Sequence, residues 1–274
     1  MKKSINMKPV ISECMKGILF LAAILILGGC ENNSGLEDRN YQLVWQDEFE
    51  TNGPLDDSKW AYDLGGGGWG NSELQTYTDD PQNIIVADGS LKITAVKNGG
   101  SYTSARIKTQ GKFDQAYGRF EARIKLPWGP GIWPAFWMLG SNIETVSWPQ
   151  CGEIDIMEYR GQQPSLIHGS VHGPGYSGGA AITKSFGLSN SRFDIDYHIF
   201  AVEWGVDFIQ FFVDDVLYQE INPADVTGEW VYNHPFFFIL NVAVGGNYVG
   251  FPTPDTPFPQ TMYVDWVRVY REVK

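Results

Sequence analysis

Apolar and polar residues alternate with a period of two along most of this chain, in short runs. GRFEARIK at 118–125 and FIQFFV at 208–213 are of this kind, and such alternation marks β-strands with one face buried. Further strand-like stretches cover 44–49, 89–95, 104–109, 166–174 and 262–270. The first and last of these are expected to pair and bring the two ends of the domain together. A hairpin is expected over 194–220, turning at Trp204-Gly-Val-Asp207 and again at Asp214-Asp215. In GIWPAFWML at 131–139, Trp133, Ala135 and Trp137 share one face while Phe136 and Met138 share the other. One set can fill a core and the other line a groove, although both tryptophans could equally be core. Pro134 there requires an edge, a bulge or a missing ladder bond. Residues 235–244, PFFFILNVAV, are almost wholly apolar. Asn241 therefore stands out: a buried amide needs partners, one of which a ligand in a cleft could supply. Helical signals are few. With 31 Gly, 15 Pro and 14% aromatic residues in 274, the pattern predicts an all-β fold in one domain.

The most informative run is Glu153-Ile-Asp-Ile-Met-Glu158. Even offsets place Glu153 and Asp155 on one face of a strand, whereas Glu158, at offset five, belongs on the other. A β-bulge at Ile156 or Met157 would turn Glu158 back to join them, and bulges are frequent beside active sites. The Glu backbones would then lie about 13 Å apart, close enough for two long side chains to lean together. The alternative is a solvated edge strand with scattered acids. No nucleophile elbow, Walker loop or dinucleotide fingerprint occurs, so any chemistry rests on carboxylates. Two acids in an aromatic-rich cleft are what glycoside cleavage requires: one donates a proton to the leaving oxygen, the other meets the anomeric carbon. The loop LGGGGWGNSELQTYT at 64–78 adds Trp69, Asn71 and Glu73 as a stacking face and hydrogen-bonding groups. His168 and His172 share a strand face but lack the Cys or third His of a transition-metal site.

The amino terminus calls for separate treatment. Lys2, Lys3, Lys8 and Lys16 precede an apolar run from Gly17 to Leu27 that has the form of a secretory leader. It ends in Leu27-Gly-Gly-Cys30, which resembles the lipobox of bacterial lipoproteins, so residues 1–29 are expected to be a signal peptide, Cys30 the lipidated first residue and 30–40 a tether. The expected product is an exported, membrane-anchored lipoprotein whose catalytic domain spans 41–274. Loss of four Lys and one Glu with the leader takes the formal charge from −12 to −15, which argues against nucleic acid or another polyanion as partner. Cys14 leaves with the leader and Cys30 is acylated, so Cys151 has no disulfide partner.

Taken together, GEIDIMEYRG, GGGGWGNSELQTYT, SARIKT, YGRFEARIKLPWGPGIWPAFWML, HGSVHGPGY, HIFAVEW, ILNVAVGG and VDWVRVY make the chain resemble a laminarinase of glycoside hydrolase family 16 over essentially all of 41–274. The resemblance implies a β-jelly-roll sandwich of two antiparallel sheets with an open cleft, and endo-cleavage of β-1,3-glucan with retention of configuration. On matching positions it makes Glu153 the nucleophile, Glu158 the acid/base and Asp155 the residue that tunes the nucleophile. Asn71, Arg106, Trp133, Trp137, His172 and Asn241 would line the sugar subsites. It implies no cofactor for catalysis, a structural Ca²⁺ near Glu48, Gly89 and Asp265, and a monomer that binds β-glucan. The rivals are a mixed-linkage β-1,3-1,4-glucanase or transglycosylase, whose EIDxE spacing lacks the extra residue, and a β-glucan-binding protein that has lost the acids.

Overall fold

The computed structural model describes residues 39–273; Cys30 and the expected leader and tether lie outside them. In chain order the strands are β1 (Tyr41–Asp47), β2 (Ala61–Tyr62), β3 (Gln75–Tyr77), β4 (Ile84–Ala87), β5 (Ser90–Asn98), β6 (Ser101–Ser104), β7 (Arg106–Lys108), β8 (Gly118–Lys125) and β9 (Ile132–Gly140). They continue with β10 (Glu153–Tyr159), β11 (Leu166–His172), β12 (Ile182–Gly187), β13 (His198–Trp204), β14 (Ile209–Val213), β15 (Val216–Ile221), β16 (Phe236–Val244) and β17 (Gln260–Glu272). A single 3₁₀ turn, Gly178–Ala180, is the only helical element among the described residues. The strands form two sheets, as a jelly roll requires. The front sheet runs β12-β11-β10-β9-β16-β7-β2, and the back sheet runs β15-β14-β13-β8-β17-β5-β6-β3, with β1 on β17 and β4 on β5.

The alternation read from the sequence is what joins the sheets. Along β8, Phe120, Ala122 and Ile124 are fully buried while Arg119 and Arg123 point outward. They meet the inward residues of β9, β10 and β16, and aromatic pairs cross the interface: Phe120 lies 5.6 Å from Phe238 and Trp204 5.1 Å from Phe236. A fully buried aromatic side chain of this kind contributes about 1.5–3 kcal/mol, so the interface fixes which face of each front strand looks outward.

The two ends pair as expected, β1 against β17 from Tyr41↔Glu272 to Asp47↔Val267. The double hairpin also forms, and Asp214 and Asp215 both adopt positive φ in the tight second turn, the conformation that two-residue hairpin loops need. Pro134 lies inside a sheet, between β10 and β16, yet no ladder bond is lost on the β16 side. Its partner Val242 turns its N–H the other way, to the Ala105 carbonyl, and the ladder with β10 stops at Ala135. The tail of the 64–78 loop is more ordered than the sequence suggested: 75–77 form β3, parallel to β6.

Candidate active site

The front sheet places the acidic run in its middle, with β10 between β9 and β11. On the β9 side Asp155 pairs with Trp137, Met157 with Phe136 and Glu158 with Ala135, leaving Ile156 without a partner. On the β11 side Ile156 and Met157 together oppose one residue, between Asp155↔Ser170 and Glu158↔His168. The bulge residue is therefore Ile156. Both Ile156 and Met157 are buried in the inter-sheet core, and turning two successive side chains inward is what returns Glu158 to the outer face beside Glu153 and Asp155.

These acids form the floor of a groove of about 730 Å³, lined on its sides by Trp69, Trp133, Trp137, Trp148 and Tyr248. Ligand atoms of Glu153, Asp155 and His172 lie within 4.8 Å of one another. The Glu153 side chain is 16% exposed and that of Asp155 5%. Burial, then the charge of Asp155, pushes Glu153 up to about 8, and burial raises Asp155 as well. Glu158 is held well above the carboxylate range by burial and then by the charges of Asp155 and Glu153, against the opposing hydrogen bond from Trp133. Three crowded acids cannot all ionise near neutrality.

Each acid has a fixed neighbour. The Trp133 indole N–H donates to Glu158 Oε1 at 3.1 Å. His172 Nε2 lies 2.9 Å from Asp155 Oδ2 and 3.6 Å from Glu153 Oε1. Because the Gly178 N–H donates to His172 Nδ1 at 3.0 Å, the ring carries its hydrogen on Nε2, although Asp155 Oδ2 makes no hydrogen bond to it.

Five of the six residues expected at the sugar subsites, Asn71, Trp133, Trp137, His172 and Asn241, line the groove. Arg106 does not. It lies behind the wall between the rings of Trp69 and Trp137, 4.7 and 4.8 Å from their centroids, with its Nε 3.0 Å from Asp63. Its guanidinium is stacked between the two rings. Asn241 has partners within the protein: it accepts from Trp137 Nε1 at 2.8 Å and donates to the Tyr77 hydroxyl at 3.2 Å. Glu73 anchors the glycine-rich loop by accepting from Asn71, Gln75 and Tyr77. Trp148 and Tyr248 were not foreseen, because both sit in loops where no periodicity marks an outward face. His168 shares the outer face of β11, opposite Glu158, but its Nδ1 bonds Ser185 at 2.9 Å.

For the calcium expectation, β17 sets the geometry. Strands β5 and β1 share one edge of β17, their ladders ending at Leu91↔Val264 and Asp47↔Val267. Glu48 and Gly89 therefore both flank the gap opposite Asp265. The carboxylates are already engaged, Glu48 by Arg268 at 2.7 and 2.9 Å and Asp265 by Arg123 at 2.6 Å. What remains for a cation is mainly backbone carbonyl oxygen, which suits Ca²⁺, on the sheet away from the groove.

A two-sheet β-sandwich carrying three acids in a tryptophan-walled groove is built as a glycoside hydrolase. The chain belongs to glycosyl hydrolases family 16, whose family model matches residues 71–268. It is 40% identical to a "Beta-glucanase" of Rhodothermus marinus across 96% of this chain and 97% of that one. It is 38% identical to "Glucan endo-1,3-beta-glucosidase A1" of Niallia circulans, over 84% of this chain and 38% of that longer protein. The laminarinase catalytic domain of Thermotoga maritima superposes with a TM-score of 0.81 at 47% identity, over 86% of this chain and all of the other.

Proposed function

We propose that this hydrolase is an endo-acting, retaining β-1,3-glucanase, a reading carried by the bulged Glu153–Glu158 strand within a tryptophan-walled open groove. The walls offer flat aromatic faces to the C–H faces of glucose rings, and an open groove accepts a chain at internal positions. Glu158, protonated and oriented by Trp133, hands its proton to the glycosidic oxygen as a carboxylate oxygen of Glu153 bonds to the anomeric carbon and the C–O bond breaks. The aglycone departs and Glu158 is left ionised. It then takes a proton from water, whose oxygen displaces Glu153 from the same carbon, and two inversions give retention. Asp155 and the His172 Nε2–H tune the charge on Glu153 between these steps. The protein would reach its polysaccharide as an exported lipoprotein acylated at Cys30, and a Cys30→Ser variant should then leave the membrane fraction.

Product profiling on laminarin, lichenan and agarose tests the assignment. Laminari-oligosaccharides of mixed length, formed much faster than products from the other two, are expected. Preferential cleavage of lichenan would move the protein to the mixed-linkage class, and binding of laminarin without products would make it a lectin-like relative.

A further inference from the structure

We propose that Tyr248 and Arg160 are positioning residues for the acid/base, clamping the Trp133 indole so that its N–H stays on Glu158. The inference rests on the role given to Glu158 above. Trp133 is the direct hydrogen-bonding partner of that carboxyl, so the angle of its ring governs how Glu158 is held. The Tyr248 ring packs against it, centroids 5.1 Å apart and planes tilted by 39°. The Arg160 guanidinium lies over the Tyr248 ring, 4.1 Å from its centroid, and no carboxylate pairs with Arg160 among the described residues, so its cation is given to the aromatic face. Arg160 follows Glu158 by two residues. The contacts therefore close a circuit, from Glu158 through Trp133, Tyr248 and Arg160 back to the segment that bears the acid.

Three further observations support the clamp. Gly246 has φ of 124°, and a Cβ there would meet Trp133 Cζ3 at 3.3 Å and the Asn71 carbonyl at 3.1 Å, so only glycine lets the loop bring Tyr248 onto the indole. His168 braces the Tyr248 ring edge-on at 6.0 Å and is itself tied to Ser185. Burial, then the charge of Glu158, raises the phenol above its usual range, which puts it within electrostatic reach of the acid.

An acid/base that is poorly held matters only when the leaving group needs its proton. The test compares kcat/KM on laminarin with kcat/KM on a 2,4-dinitrophenyl β-laminaribioside, whose phenolate leaves unaided. Tyr248→Leu and Arg160→Met should each lose about tenfold on laminarin and less than about twofold on the aryl glycoside, and Tyr248→Phe, which keeps the ring, should lose less on laminarin than Tyr248→Leu does. Equal losses on the two substrates, or none on laminarin, would overturn the proposal, as would a Tyr248→Phe defect equal to that of Tyr248→Leu. Glu158→Ala run in parallel tests the underlying role separately: a loss on the aryl glycoside as large as that on laminarin removes Glu158 as acid/base, however Tyr248 behaves. Should Tyr248→Leu fail to fold, as judged by circular dichroism, Arg160→Met leaves both rings in place and decides by the same comparison.

Discussion

At the scale of single residues, the groove holds three carboxyls so close that they cannot all ionise, which leaves a proton for Glu158 to donate and a carboxylate at Glu153 to attack. Glu153→Gln and Glu158→Gln should each cost at least about 10³-fold in kcat on laminarin while leaving binding by affinity electrophoresis intact; full turnover by either variant would remove its assigned role. The same burial has a signature in stability. The folded protein raises Glu153 from 4.5 to about 8, so the fold favours its protonated form. The stability this confers is fully present below the unfolded value and lost as pH rises through the folded one. The melting temperature should therefore decline between about pH 4.5 and pH 8, and Glu153→Gln, which cannot ionise, should flatten that decline. An identical slope in the variant would mean that Glu153 is not buried as described.

At the scale of the strand, Ile156 sets the phase of β10. Its removal would leave Glu153, Asp155 and Glu158 at even offsets in a regular strand, still on one face, at the cost of one buried side chain. Deletion of Ile156 should destabilise by about 2–5 kcal/mol yet retain measurable hydrolysis, with the lichenan-to-laminarin ratio raised. Insertion of one alanine after Met157 should do the opposite, turning Glu158 into the apolar core and abolishing activity. Comparable inactivation by both changes would show that the bulge supplies shape rather than phase. The bulge was legible in the sequence because the odd spacing of two acids conflicts with a period of two. The alternation in β8 and the pairing of β1 with β17 were legible for the same reason, since burial of one face imposes a pattern. The stacking of Arg106 between Trp69 and Trp137 was not legible, because its surroundings are made by the 64–78 loop folding back onto β7, a contact between distant segments that leaves no periodic trace. Asn241 was recognised as buried, but its partners Trp137 and Tyr77 come from two other elements, which no local pattern in the sequence reveals. Arg106→Leu should accordingly raise KM on laminarin several-fold, about 1 kcal/mol in binding, with little change in kcat. A pure kcat defect would contradict a role in holding Trp69 and Trp137.

At the scale of the whole molecule, β17 is the seam that closes the back sheet. It pairs with β8 along one edge and, end to end, with β5 and β1 along the other, so the last strand of the domain secures the first. The gap between those two ladders is flanked by the Glu48–Arg268 and Arg123–Asp265 pairs, which are partly exposed and individually contribute little. A Ca²⁺ held there by backbone carbonyls at Glu48 and Gly89 with Asp265 would join three separate segments. Such a cation binds the folded state alone, because unfolding disperses its ligands, and at a hundredfold excess over its dissociation constant it adds about 2.7 kcal/mol. For a domain of this size that is a rise of roughly 5–10 °C in melting temperature. Calorimetry in Ca²⁺ against EDTA should show this rise, Asp265→Asn should reduce it, and initial rates on laminarin at 25 °C should be the same in both buffers. The seam belongs to the back sheet and the acids to the front, so a Ca²⁺-dependent rate without a Ca²⁺-dependent melting temperature would place the cation in the groove instead, and equal melting temperatures with equal rates would leave the ion pairs alone to hold the gap.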